Sequence, residues 1–209
     1  MELAQQIRND ILSSTDPDHP IRENDLADKY KVSRSSIRDA LKQLEVEKVI
    51  VRTKKRGTTL RKFTLKEISD IYDLRAALEG LAANQAARNI SNDDAEHLKK
   101  MAAQCDMPDN DPFSRNQCDN DFHRKILALS NNPQLCEIVE NFAILRRIFD
   151  IYLRKKPNAR RRNLSPHSHM AIAEAIAEGN PEAAEKNMRD HIQWGRQRRI
   201  EEMLANGDV

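Results

Sequence analysis

From Phe63 to the C-terminus the sequence never settles into the apolar–polar alternation that a half-buried strand requires. Apolar residues return instead at three- and four-residue spacing, the signature of helices with one buried face. This excludes a sheet-based core for most of the chain. It predicts helices over 64–89, 92–105, 113–130, 133–155, 166–178 and 181–204. The punctuation agrees: Ser91 is placed to cap a helix with Asp94 three residues on, Pro133 and Pro181 suit first turns, and Gly179 suits a helix end. DMPDNDP (106–112) and the strongly basic KKPNARRRNLS (155–165) read as connecting loops. Six helices joined in this way predict an antiparallel bundle. Only 4% of residues are aromatic, so its core must be built from Leu, Ile and Ala.

The first 62 residues are organised differently. Leu3, Ile7 and Ile11 share one helical face, and a turn-rich STDPDHP follows. In IRENDLADKY, Ile21, Leu26, Ala27 and Tyr30 are expected to face inward. After a short break, Ser33 is a good N-cap for a helix whose Ile37, Ala40, Leu41 and Leu44 form one buried stripe. Arg34, Ser35, Ser36 and Arg38 lie off that stripe, on the first turns. Two short helices with a tight turn, the second polar and basic at its start, have helix-turn-helix geometry, in which the second helix meets base edges in the major groove. Arginine pairs bidentately with guanine, and serine serves bases or phosphates. The β-prone runs Val49–Thr53 and Thr58–Lys62 around Lys54, Lys55, Arg56 and Gly57 predict a small hairpin with a basic tip, a wing that would meet phosphates or the minor groove.

Charge supports the same reading. The net charge is only +2, yet residues 31–62 hold eleven basic and three acidic side chains, against three basic and seven acidic in residues 1–30. A capped, solvated helix followed by a basic turn would carry such charges too. The joint placement of donors on the second helix and the wing favours DNA.

The stretch DLADKYKVSRSSIRDALKQLEVEKVI resembles the winged helix-turn-helix of GntR-type bacterial transcription regulators. Glu23, Leu26, Ala27, Val32, Ser33, Arg34, Ile37, Arg38, Ala40, Leu41, Leu44 and Ile50 match that pattern in fixed register. Two positions depart from it. Lys48 stands where the family usually has glycine, and Asn24 where a DNA-touching arginine is common, which alters the expected base preference.

In the helical segment the informative residues are polar ones on inward faces. Asp119 and His123, four apart, share a face with Phe122 and Ile126 beside them. His169 lies ten residues before Gly179, and His191 ten after Pro181. At a rise of about 1.5 Å per residue, both sit about 15 Å from the turn, hence level across a helical hairpin. One carboxylate and three imidazoles would then converge. Such a set suits zinc, nickel, manganese or iron with positions left open; hydrogen-bonded core histidines are the competing reading. Trp194, three residues past His191, suits a pocket wall or simple core packing.

IYDLRAALEGLAA (71–83), DNDFHRKILALSNNPQL (119–135) and SHMAIAEAIAEGNPEAAEKNMRDHI (168–192) resemble the FCD domain, the effector-binding bundle of the FadR subfamily of GntR regulators. Six helices resemble its VanR branch. The resemblance implies that Asp119, His123, His169 and His191 are metal ligands. It also implies a small carboxylate effector, with Arg75 or Arg146 clamping its far end.

The expectation is therefore a mainly α protein with two domains: a winged helix-turn-helix over 1–62 and a six-helix metal- and effector-binding bundle over 63–209. It would act as a homodimeric, metabolite-responsive regulator, a repressor on a palindromic double-stranded DNA operator. Rival readings make the metal itself the signal, make the bundle a metalloenzyme, or make the chain a purely structural DNA protein. The sequence offers no glutamate as an obvious general base beside the cluster, so no enzyme is expected. Three cysteines, Cys105, Cys118 and Cys136, form no CxxC pair and leave an odd count, for which reduced thiols in a cytoplasmic setting are the simplest reading. No apolar run approaches a membrane span, and MELAQQIRNDIL reads as an amphipathic helix rather than a signal peptide.

Overall fold

The computed structural model describes residues 2–13, 18–53, 57–107, 112–154 and 168–206. Among them are nine helices and one two-stranded sheet: α1 (Leu3–Ser13), α2 (Glu23–Tyr30), α3 (Arg34–Val46), β1 (Ile50–Thr53), β2 (Gly57–Leu60), α4 (Leu65–Arg88), α5 (Asn92–Cys105), α6 (Pro112–Leu129), α7 (Pro133–Arg154), α8 (His169–Ala177) and α9 (Pro181–Asn206). The fold is a winged helix-turn-helix followed by an all-α bundle of six helices. No described helix is long and apolar enough to cross a membrane.

Contacts divide the chain into two compact units, Met1–Thr64 with Ala143–Asn158, and Leu65–Phe142 with Ala159–Val209. In the first unit, Ile37, Ala40, Leu41 and Leu44 of α3 are buried as the periodicity predicts. Each fully buried Leu or Ile contributes about 1.5–3 kcal/mol. They pack with Ala4, Ile7, Ile11 and Leu12 of α1, and Arg8 pairs with Glu47 at 2.8 Å. Helix α2 buries no residue fully. Ile21, Leu26, Ala27 and Tyr30 are only half-buried, because a cleft lined by Ile11, Pro20, Ile21, Leu26 and Leu60 adjoins that helix.

The wing strands are shorter than predicted. β1 pairs antiparallel with β2 from Ile50↔Leu60 to Thr53↔Gly57, and the Ile21 N–H donates to the Thr58 carbonyl at 2.8 Å to extend the edge. The second half of α7 belongs to this unit: the Tyr152 hydroxyl donates to the Leu60 carbonyl at 3.1 Å, and Ile148 and Ile151 are buried.

In the second unit α4 lies along α9, with α5, α6 and α8 packed around them. Gly80 permits the close approach, since a Cβ there would stand 2.9 Å from Arg189 Cγ. Polar bonds fix the seam: Arg196 Nη1 donates to Asp73 at 2.7 Å and Asn84 Nδ2 to Glu185 at 3.1 Å. The α8–α9 turn is built as read from the sequence. Gly179 has φ +65°, the Asn180 N–H donates back to Ala175, and Asn180 Oδ1 then caps α9 by accepting from Ala183 N–H.

One expectation is overturned here. Cys105 and Cys118 are joined as a disulfide with Cα atoms 5.4 Å apart, leaving Cys136 free. α5 and α6 pack together, so two cysteines thirteen residues apart meet without any local motif.

Candidate DNA-reading head and metal centre

Ser33 caps α3, its Oγ accepting from the Ser36 N–H at 3.1 Å, and its hydroxyl contacts those of Ser35 at 2.7 Å and Ser36 at 2.9 Å. Arg34, Ser35, Ser36 and Arg38 are all exposed. No acidic residue occupies the first turn of α3. A basic first turn opposes the helix dipole, so Arg34 is not placed there for helix stability; an anion brought to that end is favoured by it. Arg34 makes no ion pair among the described residues, whereas Arg38 contacts Glu23 at 3.2 Å and Arg52 lies 3.7 Å from the same carboxylate. Gly57 opens β2 with φ +69° and open space around it. Lys54, Lys55 and Arg56, the predicted wing tip, lie outside the described residues, as does the basic loop 155–165.

Helix α6 supplies Asp119 and His123, α8 supplies His169 from its first turn, and α9 supplies His191. One ligand atom from each lies within 4.8 Å of the others. Asp119 Oδ1 is the hub, 3.3 Å from His169 Nε2 and 3.7 Å from both His123 Nε2 and His191 Nε2. The level placement of His169 and His191 is realised, with ring centroids 4.6 Å apart. Phe122, fully buried, stacks edge-on against His169 at 5.0 Å.

Two carboxylates that the sequence reading missed stand behind these rings. Asp106 Oδ1 lies 2.7 Å from His169 Nδ1, and its two oxygens also accept from the backbone N–H groups of His169 and Met170 at 3.2 and 3.0 Å. Glu79 Oε2 lies 2.6 Å from His123 Nδ1, a close ion pair by distance, and neither atom makes a hydrogen bond of good geometry. Glu79 is itself held by Arg75, whose Nε donates to Oε1 at 2.7 Å. A glutamate thus does stand beside the cluster, though one already engaged by Arg75. Glu79 sits on the inner face of α4 with Tyr72, Arg75 and Ala76, a stripe legible in LRAALEG had its charged members been read as buried.

The electrostatics follow from this arrangement. Burial pushes the Asp119 carboxyl up, but the charge of His123 and the close imidazoles of all three histidines hold it well below the usual carboxylate range. Burial likewise opposes ionisation of Glu79, and the Arg75 and His123 charges overcome it. Burial pulls His169 down, but its bonds to Asp106 and Asp119 raise it to about 9. His191, buried and facing the other two rings, is lowered.

The donor set fits a divalent ion. A ligating histidine normally donates its second ring nitrogen to a carboxylate, which fixes the other nitrogen as the lone-pair donor. Glu79 and Asp106 occupy those positions behind His123 and His169, and each leaves Nε2 facing Asp119. Of the other predicted residues, Arg75 sits one residue removed from the cluster, through Glu79. Trp194 is half-buried on α9 with the Arg198 guanidinium 4.8 Å from its ring centre. Arg146 falls within Ala143–Asn158, the segment grouped with the first unit.

The architecture defines a winged-helix DNA-binding protein with an α-helical second domain. Residues 1–60 match the gntR family of bacterial regulatory proteins, and residues 70–193 match the FCD domain. The chain belongs to the GntR family of transcription regulators, in the group that carries an FCD domain. Among curated relatives it is 26% identical over 180 residues to the Nta operon transcriptional regulator of Aminobacter aminovorans, covering 85% of this chain and 82% of that one. It is 32% identical over 146 residues to the gluconate operon transcriptional repressor of Bacillus subtilis, covering 68% and 59%. The solved structure of McbR/YncC from E. coli has the same fold, with a TM-score of 0.76 at 19% identity over 96% of this chain and 98% of that one.

Proposed function

We propose that this regulator is a homodimeric repressor of the VanR-like branch, whose DNA affinity is set by a small carboxylate held beside a divalent ion. Asp119, His123, His169 and His191 would hold the ion, and Ser33, Arg34, Ser35, Ser36, Arg38 and the 54–57 wing tip would read DNA. The observation that carries the ion assignment is the pair of carboxylates behind His123 and His169. Bound there, the ion would supply positive charge with positions open to an anionic ligand. Repression is suggested by the gluconate operon repressor. Six helices, α4 to α9, support the branch. Dimerisation has a surface to hand: Leu74 and Leu81, seven apart on α4 and so on one face, are both exposed.

An effector changes DNA affinity only by binding two dimer geometries unequally, a coupling of about 1–3 kcal/mol. The test is thermal stabilisation of zinc-, nickel- or manganese-loaded protein by a panel of small organic acids, with His123→Ala/His169→Ala as control and DNA release measured for any hit. A shift for one acid that the control lacks, accompanied by release, supports the reading. Ion-dependent melting with no response to any acid favours a second reading, the ion itself as signal. One observation favours that alternative: Arg75, a candidate clamp, is already engaged by Glu79.

A further inference from the structure

Cys105 is buried at the end of α5, and Cys118 is half-buried in α6. Their bond closes the α5–α6 connection. Each cysteine immediately precedes a carboxylate of the histidine cluster: Asp106 follows Cys105 and Asp119 follows Cys118. Those carboxylates grip His169 from opposite sides, Asp106 at Nδ1 (2.7 Å) and Asp119 at Nε2 (3.3 Å). The cross-link therefore ties together, one peptide unit away on each side, the two groups that aim this ring. Asp106 is also the C-cap of α5. Helix ends fray, so without the bridge Asp106 is positioned by its hydrogen bonds alone.

We propose that Cys105 and Cys118 form a reversible two-electron oxidation site, and that closing the bridge tightens ion retention by the Asp119–His123–His169–His191 cluster. The oxidant class is a peroxide. The half-exposed Cys118 sulfur attacks the O–O bond and becomes a sulfenic acid, releasing one water. The buried Cys105 sulfur then displaces the sulfenic oxygen, forming the S–S bond and releasing a second water. Two electrons pass from the sulfurs to the peroxide, and both thiol protons end in the waters. A dithiol or phosphine reverses the step through Cys118. The tightening rests on the ion-site reading above; the oxidation does not.

The experiment uses the full chain carrying Cys136→Ser, so that no third thiol exchanges. The protein is treated with hydrogen peroxide or with a phosphine, and the bridge is read by mass and by protection from alkylation. Zinc affinity is measured by chelator competition in each state and in the Cys105→Ser/Cys118→Ser variant. We expect the bridge to form and reopen. Zinc should be held about 10-fold or more tightly when it is closed, the range that follows loss of a ligand's outer partner. The double variant should match the reduced protein and ignore oxidant. Should the double variant fail to fold, Cys118→Ala, which keeps the buried Cys105, gives the same comparison. A bridge that never forms or never reopens, or equal zinc affinity in both states, overturns the inference and leaves the ion site standing. Zinc bound in neither state overturns the ion-site reading and the tightening with it.

Discussion

Asp106 holds His169 from across 63 residues of sequence, taking the ring Nδ1 and the backbone N–H on one oxygen and the Met170 N–H on the other. A single carboxylate thereby fixes both the ring and the helix start that carries it. Asp106→Asn keeps the shape but removes the charge that sets the tautomer. It should weaken zinc binding about 10- to 100-fold with little change in helix content. Chelator competition checks this, and unchanged affinity would sink the assignment of Asp106 as the partner that orients His169.

The Arg75–Glu79 pair is deeply buried, with side chains 7% and 2% exposed. Removing Arg75 leaves the buried Glu79 carboxylate with His123 as its one remaining charged neighbour among the described contacts. Arg75→Met should destabilise the chain by about 3–5 kcal/mol in urea unfolding. Replacing both, Arg75→Met with Glu79→Gln, should recover part of the loss, because no charge is stranded. A cost below 1 kcal/mol for the single change, on the order of a surface pair, would mean that Arg75 is solvated in solution.

How much was legible depended on whether a signal was local. The α3 stripe of Ile37, Ala40, Leu41 and Leu44 follows from helix period alone. The meeting of His169 with His191 followed from helix rise and the Gly179–Asn180 turn, because a hairpin of known geometry turns sequence distance into height. Glu79 and Asp106 were missed because a carboxylate on a helix is usually solvated, and only packing shows which are buried. The Cys105–Cys118 bond and the grouping of Arg146 with the first unit were hidden for the same reason. Both are decided by which helices touch, and no residue near them in sequence encodes that.

The histidines make stability depend on pH in opposite senses with and without an ion. His169 rises from an ordinary value of 6.5 to about 9 in the fold, and His123 shifts the same way. A group raised on folding contributes stability that is full below its unfolded value and is lost as pH climbs through the folded one. The ion-free chain should therefore melt at progressively lower temperature from pH 6.5 to 9. An ion requires those nitrogens unprotonated, so zinc-loaded protein should gain stabilisation over the same window. Calorimetry at both pH values with and without chelator decides it. A melting temperature of the ion-free chain that rises across the window contradicts the ring–carboxylate pairing.

Lys48 marks a position where the chain departs from its family at a cost. It follows α3 with φ +59°, its N–H donates to Glu45, and the Val49 N–H donates to Leu44, the arrangement that ends helices on a left-handed residue. An L side chain there costs about 1 kcal/mol, and glycine does not. Lys48 is exposed, so little is lost with its side chain. Lys48→Gly should stabilise the chain by about 0.5–1 kcal/mol, offset in part by the greater freedom of glycine when unfolded. Urea melts of the two proteins suffice as a check.

Glu23 reaches the reading head, contacting Arg38 at 3.2 Å and Arg52 at 3.7 Å, and Glu45 also lies 3.5 Å from Arg52. Glu23 holds two positive side chains away from any phosphate, while Arg34 on the first turn is not so held. The two arginines of α3 should therefore respond differently to mutation. Arg34→Ala should lose about 1–3 kcal/mol of affinity for a fragment selected from a random pool, and relax its preference at one base position, as removal of a base-edge contact does. Glu23→Gln should strengthen selected and unselected DNA alike. It should also steepen the dependence of log K on log salt by up to about one unit, because Arg38 becomes available to a phosphate. Titrations at several salt concentrations separate the two effects. An Arg34→Ala variant that loses affinity equally for all sequences would reassign Arg34 to the phosphate backbone, and no change with Glu23→Gln would show that the pair opens freely when DNA arrives.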